Sequence, residues 1–207
     1  MALVDKSVRD LLTAFSSADP TPGGGSASAL ASAIGASLLM MVAGLPKTRT
    51  GSEDDRPALA AAVRALTGIR AQLTDAIDAD SAAYDRVVAA YKLPKASGDE
   101  QQVRKASIQQ ALRTATDVPL GVVRLATDAL DHARAIAEHS HAAAASDVGV
   151  GIGLLHAGVH GARLNVEINL SSAVDAAYGD AVTAEVSRLS RRASDAAAAA
   201  EERLRNV

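Results

Sequence analysis

Acid–base chemistry needs a carboxyl group held away from bulk water, and the sequence offers one. From Pro57 to Tyr91 apolar residues recur at steps of three and four: Leu59, Val63, Leu66, Ile69, Leu73, Ile77, then Tyr84, Val87 and Tyr91. Asp80 fills the gap in that stripe, three residues after Ile77 and four before Tyr84. Asp75 and Asp78 fall off the stripe and are expected to face water. A carboxylate on the inward face of a helix is costly unless it is paired or used. Desolvation raises its pKa toward neutrality, which suits a general acid. The other reading is a structural aspartate, hydrogen-bonded to a neighbouring helix or held by an arginine.

Two further stretches carry groups suited to binding. Pro20-Thr21-Pro22-Gly23-Gly24-Gly25-Ser26 joins two prolines, which cannot continue a helix, to three glycines that let another group approach the main chain. Ser26 stands where an N-cap is expected, before a small-residue helix over Ala27–Leu45. Free N–H groups at such a helix start can meet a ligand. The loop lacks the Gly-Lys-Ser/Thr ending of a nucleotide P-loop, and Ser28 breaks a Gly-x-Gly-x-x-Gly pattern. Taken alone, it also reads as a tight turn before a buried helix.

The second stretch is Val148–Leu170. One stripe is apolar: Val148, Ile152, Leu155, Val159, Ala162, Val166. The other reads Asp147, Gly151, Leu154, Gly158, Gly161, Asn165, Asn169. Glycine weakens a helix interior, so this face should touch another helix closely or floor a site. Asparagine amides both donate and accept, which suits the edge of a heterocycle. His156 and His160 lie one turn apart but lack the glutamate of a zincin motif, so no metal is expected.

The elements that position these residues follow from composition. The 207 residues are 48% hydrophobic but only 2% aromatic, with much of the apolar content alanine. Alanine favours helix, and strand-favouring aromatics are scarce. An all-α array of five to seven helices with long central helices is expected, in a single domain over residues 1–207. The net charge of −3, with acids and bases mixed, offers no basic face for nucleic acid. With no cysteine there is no disulfide or thiolate chemistry. Ala27–Leu45 is uncharged and nearly long enough to span a bilayer, but its serines and its isolation favour a buried central helix. No secretory signal is read in the first residues, so the expectation is a soluble cytoplasmic protein with no membrane partner.

In chain order, a short amphipathic helix is expected over Val8–Phe15 with Leu11, Leu12 and Phe15 inward. Ala96–Glu100 is expected as a loop. A helix over Val103–Thr116 should be interrupted at Asp117-Val118-Pro119 by a kink or a fresh start, continuing over Leu120–Glu138 with Val123, Ala126, Leu130 and Ala133 inward. His139–Ala145 reads as a break, with Ser146 capping the next helix and Asp147 in its acidic first turn. A last helix is expected over Val174–Val207, with Ala196–Arg205 solvated.

Several landmarks occur in a characteristic order: Pro20–Ser26, Met41-Val-Ala-Gly-Leu45 with Lys47, Asp80-Ser-Ala-Ala-Tyr84, Leu93-Pro-Lys95, Ile108-Gln109 through Ala115-Thr-Asp-Val-Pro-Leu120, Ser146-Asp147 and Asn165-Val-Glu-Ile-Asn169. Together the chain, from about Val8 to about Tyr178, resembles the cyclodeaminase/cyclohydrolase family of folate enzymes. The resemblance implies an all-helical homodimer acting on a tetrahydrofolate derivative as substrate, without a further cofactor. It implies that Asp80 matches the family's proposed proton donor. Pro22, Gly23, Gly24, Gly25, Ser26, Lys47, Tyr84, Asp147, Asn165 and Asn169 are then candidates for the folate site. The chain departs from the family at Pro46-Lys-Thr-Arg-Thr50, which replaces a more basic run, and at Tyr84, where phenylalanine is common. The favoured activity is methenyltetrahydrofolate cyclohydrolase, with formimidoyltetrahydrofolate cyclodeaminase as the alternative. A non-catalytic helical folate-binding or assembly protein is the reading from a different class.

Overall fold

The computed structural model of the chain describes residues 2–172 and 175–205. Six α-helices carry the fold: α1 (Val8–Phe15), α2 (Gly24–Ala43), α3 (Arg56–Tyr91), α4 (Gly98–His139), α5 (Ala145–Leu170) and α6 (Ala176–Arg205). Short 3-10 turns stand at Leu3–Asp5, Glu53–Asp55 and Ala142–Ala144. Among the described residues there is no strand, only an isolated bridge between Thr48 and Ser140.

The alanine and leucine content builds the main core. Leu39, Leu66, Leu73, Val123, Leu130, Ile136, Ile152 and Leu155 are fully buried where α2, α3, α4 and α5 meet. Every member of the apolar stripe expected on α5 is buried, as are the four inward residues expected on α4. α2 and the segment Ala142–Leu170 are long and apolar enough to cross a membrane, but α2 lies largely within the core.

Helix α2 can sit so deep because its neighbour α5 offers glycine. A Cβ at Gly35 would lie 2.7 Å from the Gly151 carbonyl oxygen and 2.9 Å from Leu155 Cγ. One at Gly158 would overlap Ser32 Oγ and come within 2.9 Å of the Ser28 carbonyl. The two helices run antiparallel, with Gly24 beside Asn165 and Gly35 beside Gly151. The glycine stripe of α5 is therefore a close helix crossing for most of its length. It becomes part of a site only at its C-terminal end.

Several local expectations are corrected. Helix α1 matches its expected bounds, but Leu12 is 63% exposed and nothing on that helix is fully buried. Asp78 does not simply face water: its carboxylate accepts the N–H groups of Leu3 at 2.5 Å and Val4 at 3.3 Å, tying the N-terminus to α3. Helix α4 starts earlier than expected, at Gly98, because Ser97 and Glu100 form a capping box. It then runs unbroken through Pro119. Helix α5 starts at Ala145, so Ser146 lies inside the first turn and is not the cap. On α6, Ala197 and Ala200 are buried and Leu204 packs on the core, so its end is not wholly solvated. Val174, Asn206 and Val207, included in the expected last helix, lie outside the described residues.

Candidate active site

The prolines and glycines before α2 end the preceding chain and start the helix three residues sooner than the sequence suggested. Gly23 is the N-cap, without a side-chain cap of its own. Ser26 is thereby inside the first turn, and its expected role as cap is corrected. Capping comes instead from another helix. The Asp80 carboxylate on α3 accepts the Ser26 N–H at 2.9 Å through Oδ2, with Ser26 Oγ 3.3 Å from the same oxygen. Ser26 Oγ donates to the Ile77 carbonyl at 2.7 Å, so at its 3.2 Å contact with Ser81 the hydroxyl of Ser81 is the donor.

Asp80 fits only because residue 25 has no side chain. A Cβ on Gly25 would overlap Asp80 Oδ1 and lie 2.6 Å from Oδ2. Burial pushes the Asp80 carboxyl above its ordinary pKa, and the hydrogen bond from the Ser26 N–H opposes that rise. The positive end of the α2 dipole also favours the ionised form. Asp80 is half-buried and makes no ion pair among the described residues.

Asp80 opens into a cavity of about 440 Å³ between the start of α2, the C-terminal part of α3, the middle of α4 and the end of α5. Gly23, Gly24, Tyr84, Asn165 and Asn169 line it with Asp80. That volume lies within the usual range for a small-molecule site. The two asparagines are positioned differently. Asn165 donates to the Gly161 carbonyl of its own helix at 2.8 Å. Asn169 reaches across to α4 and donates to the Ala115 carbonyl at 2.7 Å. Pro119 explains that bond. Having no N–H, it leaves the carbonyl four residues back, that of Ala115, without its helical donor. Asn169 supplies one, which fixes its amide at the cavity wall.

Other expected site residues stand apart from this cavity. Pro22 lines a separate depression beside Leu3, Lys6 and Asp10. Lys47 lines a polar groove with Arg49, Arg56 and His141. That groove follows the C-terminal end of α2, and at 1.5 Å per residue Ala43 is roughly 25 Å from Ser26 along the helix. Asp147, in the first turn of α5, is likewise about 27 Å along its helix from Asn165. Within one chain, neither Lys47 nor Asp147 joins Asp80.

The cavity also uses residues not singled out from sequence: Val87, Tyr91, Leu112, Ala115 and Ile168. Of these, Val87 and Tyr91 stand on the apolar stripe that the sequence places inward. Past Ile77 the α3 stripe leaves the packed interior, and Tyr84 and Tyr91 are 42% and 51% exposed. With only three tyrosines in the chain, two on the stripe that carries Asp80 was the available hint.

Comparison with known proteins points to one family. A family model described as formiminotransferase-cyclodeaminase matches residues 7–188. Methenyltetrahydrofolate cyclohydrolase of Methylorubrum extorquens is 36% identical over 176 residues, covering 85% of each chain. Formimidoyltransferase-cyclodeaminase of Gallus gallus is 31% identical over 95% of this chain, which spans only 36% of that longer protein. The crystal structure of formiminotetrahydrofolate cyclodeaminase from Thermotoga maritima superposes with a TM-score of 0.86 at 27% identity, covering 98% of this chain and 97% of that one. The all-helical fold, the order of the motifs and these matches together show that the chain belongs to the formiminotransferase-cyclodeaminase family.

Proposed function

We propose that this chain is a methenyltetrahydrofolate cyclohydrolase, converting 5,10-methenyltetrahydrofolate and water to 10-formyltetrahydrofolate. The observation that carries the reading is Asp80: a half-buried carboxyl with a raised pKa, fixed by Ser26 and opening into a ligand-sized cavity. Water adds to the methenyl carbon, and the carbon–N5 bond of the resulting tetrahedral centre then breaks. One proton from the water is accounted for on N5 and the other is released to solvent. An amine leaves far more readily than its anion. Asp80 in its protonated form delivers the proton to N5 as the bond breaks, a contribution of about 10²–10⁴-fold. Asn165, Asn169 and the backbone at Gly23 and Gly24 hold the heterocycle, and Tyr84 lies beside it.

The similarity to the Methylorubrum protein over most of both chains favours cyclohydrolase. The Thermotoga neighbour, equally matched in length, supports a second reading as a cyclodeaminase, in which N10 attacks a formimino carbon and ammonia leaves. The same acid serves either leaving nitrogen. A non-catalytic role is less well supported, because Asp80 is not locked in an ion pair and the cavity beside it is open.

A homodimer in the cytoplasm belongs to the same proposal. Ile34 and Met41 on α2 and Val150, Leu164 and Ile168 on α5 are all more than 40% exposed. Each stripe precedes its helix-contact stripe by one residue, so both emerge on the same side of the antiparallel pair. That uncharged face suits a second copy of the chain. Light scattering on the purified protein distinguishes dimer from monomer.

The activity test uses the methenyl chromophore. Purified protein is added to 5,10-methenyltetrahydrofolate and, separately, to 5-formiminotetrahydrofolate, each beside a no-enzyme control. Accelerated loss of absorbance with the first is the expected result. A rise with the second identifies a cyclodeaminase. Two traces that match their controls overturn the enzymatic reading.

A further inference from the structure

The cavity has a far end, at Tyr91, that the chemistry at Asp80 does not use. Its α3 wall is Asp80, Tyr84, Val87 and Tyr91, one residue per turn, so it runs about 16 Å from the acid to Tyr91. Its α4 wall includes Leu112 and Ala115; in the same helical phase, one and two turns before Leu112, come the buried Ile108 and then Arg104. The two walls close at the far end: Arg104 Nη2 donates to the Tyr91 carbonyl at 3.0 Å, and the Arg104 guanidinium lies 5.6 Å from the centre of the Tyr91 ring.

Arg104 is not neutralised there. Its expected helical partner is Glu100, four residues earlier, but that carboxylate is taken up at the start of α4. Glu100 Oε2 accepts the N–H groups of Ala96 at 2.7 Å and Ser97 at 3.0 Å. Arg104 makes no ion pair among the described residues, and its Nε is buried without a hydrogen-bond partner. A guanidinium has five donors arranged for a carboxylate, and Arg104 uses one of them on protein. Lys92, Lys95 and Lys105 add positive charge around the same hairpin.

We propose that Arg104, backed by the Tyr91 ring, forms a carboxylate subsite that holds the glutamyl end of the substrate while its one-carbon bridge lies at Asp80. This rests on the folate reading above and deepens it. A tetrahydrofolate derivative is an elongated molecule with a reactive heterocycle at one end and glutamyl carboxylates at the other. The cavity presents an acid at one end and an aromatic and aliphatic wall beyond it, and Arg104, without an ion pair among the described residues, stands against the Tyr91 ring at the far end. Because the contact is made equally to substrate and transition state, it acts on KM and leaves kcat unchanged.

The test compares 5,10-methenyltetrahydrofolate with the analogue whose glutamyl carboxylates are converted to primary amides. Both are assayed for kcat and KM with the wild-type protein, Arg104→Ala and Arg104→Lys. The wild type is expected to show a KM at least about tenfold higher for the amide than for the acid, the size of one charge-assisted hydrogen bond. Arg104→Ala should raise KM for the acid by a similar factor, keep kcat, and lose the discrimination. Arg104→Lys should restore part of it. Equal KM values for acid and amide in the wild type overturn the proposal, whatever the variants do. So does an Arg104→Ala effect of the same size on both compounds, which marks a purely structural residue. If the wild type turns over neither compound, and 5-formiminotetrahydrofolate is also unchanged, the folate reading itself fails, and this subsite fails with it.

Discussion

The carboxylate of Asp80 occupies the space that a side chain at Gly25 would fill: a Cβ there would overlap Oδ1 and stand 2.6 Å from Oδ2. The glycine run is therefore not only a flexible loop. Its third member is the contact surface against which the proposed acid is set, within the first turn of α2. Replacing Gly25 with alanine should push Asp80 away from the Ser26 N–H and lower kcat by about 10²-fold or more. Gly121→Ala is the control, because nothing lies within 4 Å of a Cβ at that position on α4. It should keep full activity and gain about 0.5–1 kcal/mol of stability from helix propensity. Steady-state rates and thermal melts of the two variants check this.

The raised pKa of Asp80 fixes the sign of two pH effects. Catalysis uses the protonated form, so enzymatic turnover, corrected for the uncatalysed reaction, should fall as pH rises through the folded-state pKa. In Asp80→Asn that limb should vanish and turnover should drop by about 10²–10⁴-fold. Stability moves the other way. An acid with a raised folded-state pKa makes the fold less stable as pH rises through that value. The Tm of Asp80→Asn relative to wild type should thus rise as pH passes from the ordinary carboxylate range through the folded-state pKa, and level off above it. A variant with unchanged turnover would remove Asp80 from the mechanism.

Pro119 and Asn169 should be energetically coupled through the Ala115 carbonyl. Asn169→Ala leaves that oxygen without a donor, at an expected cost of about 1–3 kcal/mol in denaturant unfolding. In the background of Pro119→Ala, residue 119 regains an N–H that can bond to Ala115 within the helix. The cost of Asn169→Ala should then shrink by about 1 kcal/mol. An additive double-mutant cycle would contradict this origin of the bond.

At the other end of α2, Asp55 is buried and accepts hydrogen bonds from Thr50 N at 3.0 Å and Thr50 Oγ1 at 2.8 Å, with His139 Nδ1 at 2.9 Å. The Thr50 N–H, then His139, hold its carboxyl far below the ordinary carboxylate range. A depressed pKa contributes stability above the unfolded-state value, and that contribution is lost as pH falls below it. Asp55→Asn should lower Tm at pH 7, and the gap from wild type should narrow as the pH is taken below about 4. Melts of the two proteins across that range test the sign.

The sequence by itself determined the helical class and the placement of Asp80 on the inward stripe of α3. Alanine content, the near absence of aromatics and the three-four periodicity of α3 and α5 are local properties, and they set the core stripes and the inward position of Asp80. The order of motifs was enough to indicate the family. Only the tertiary structure decided how the pieces meet. That α4 survives Pro119 depends on an amide from α5, more than forty residues away in sequence. That Ser26 is capped rather than capping depends on a carboxylate from α3. The separation of Lys47 and Asp147 from Asp80 follows from the length of the helices between them, which a motif list does not carry. Periodicity tells which face of a helix turns inward. Whether that face meets a packed core, as at Leu73, or a cavity, as at Tyr84 and Tyr91, depends on what the neighbouring helices place opposite it.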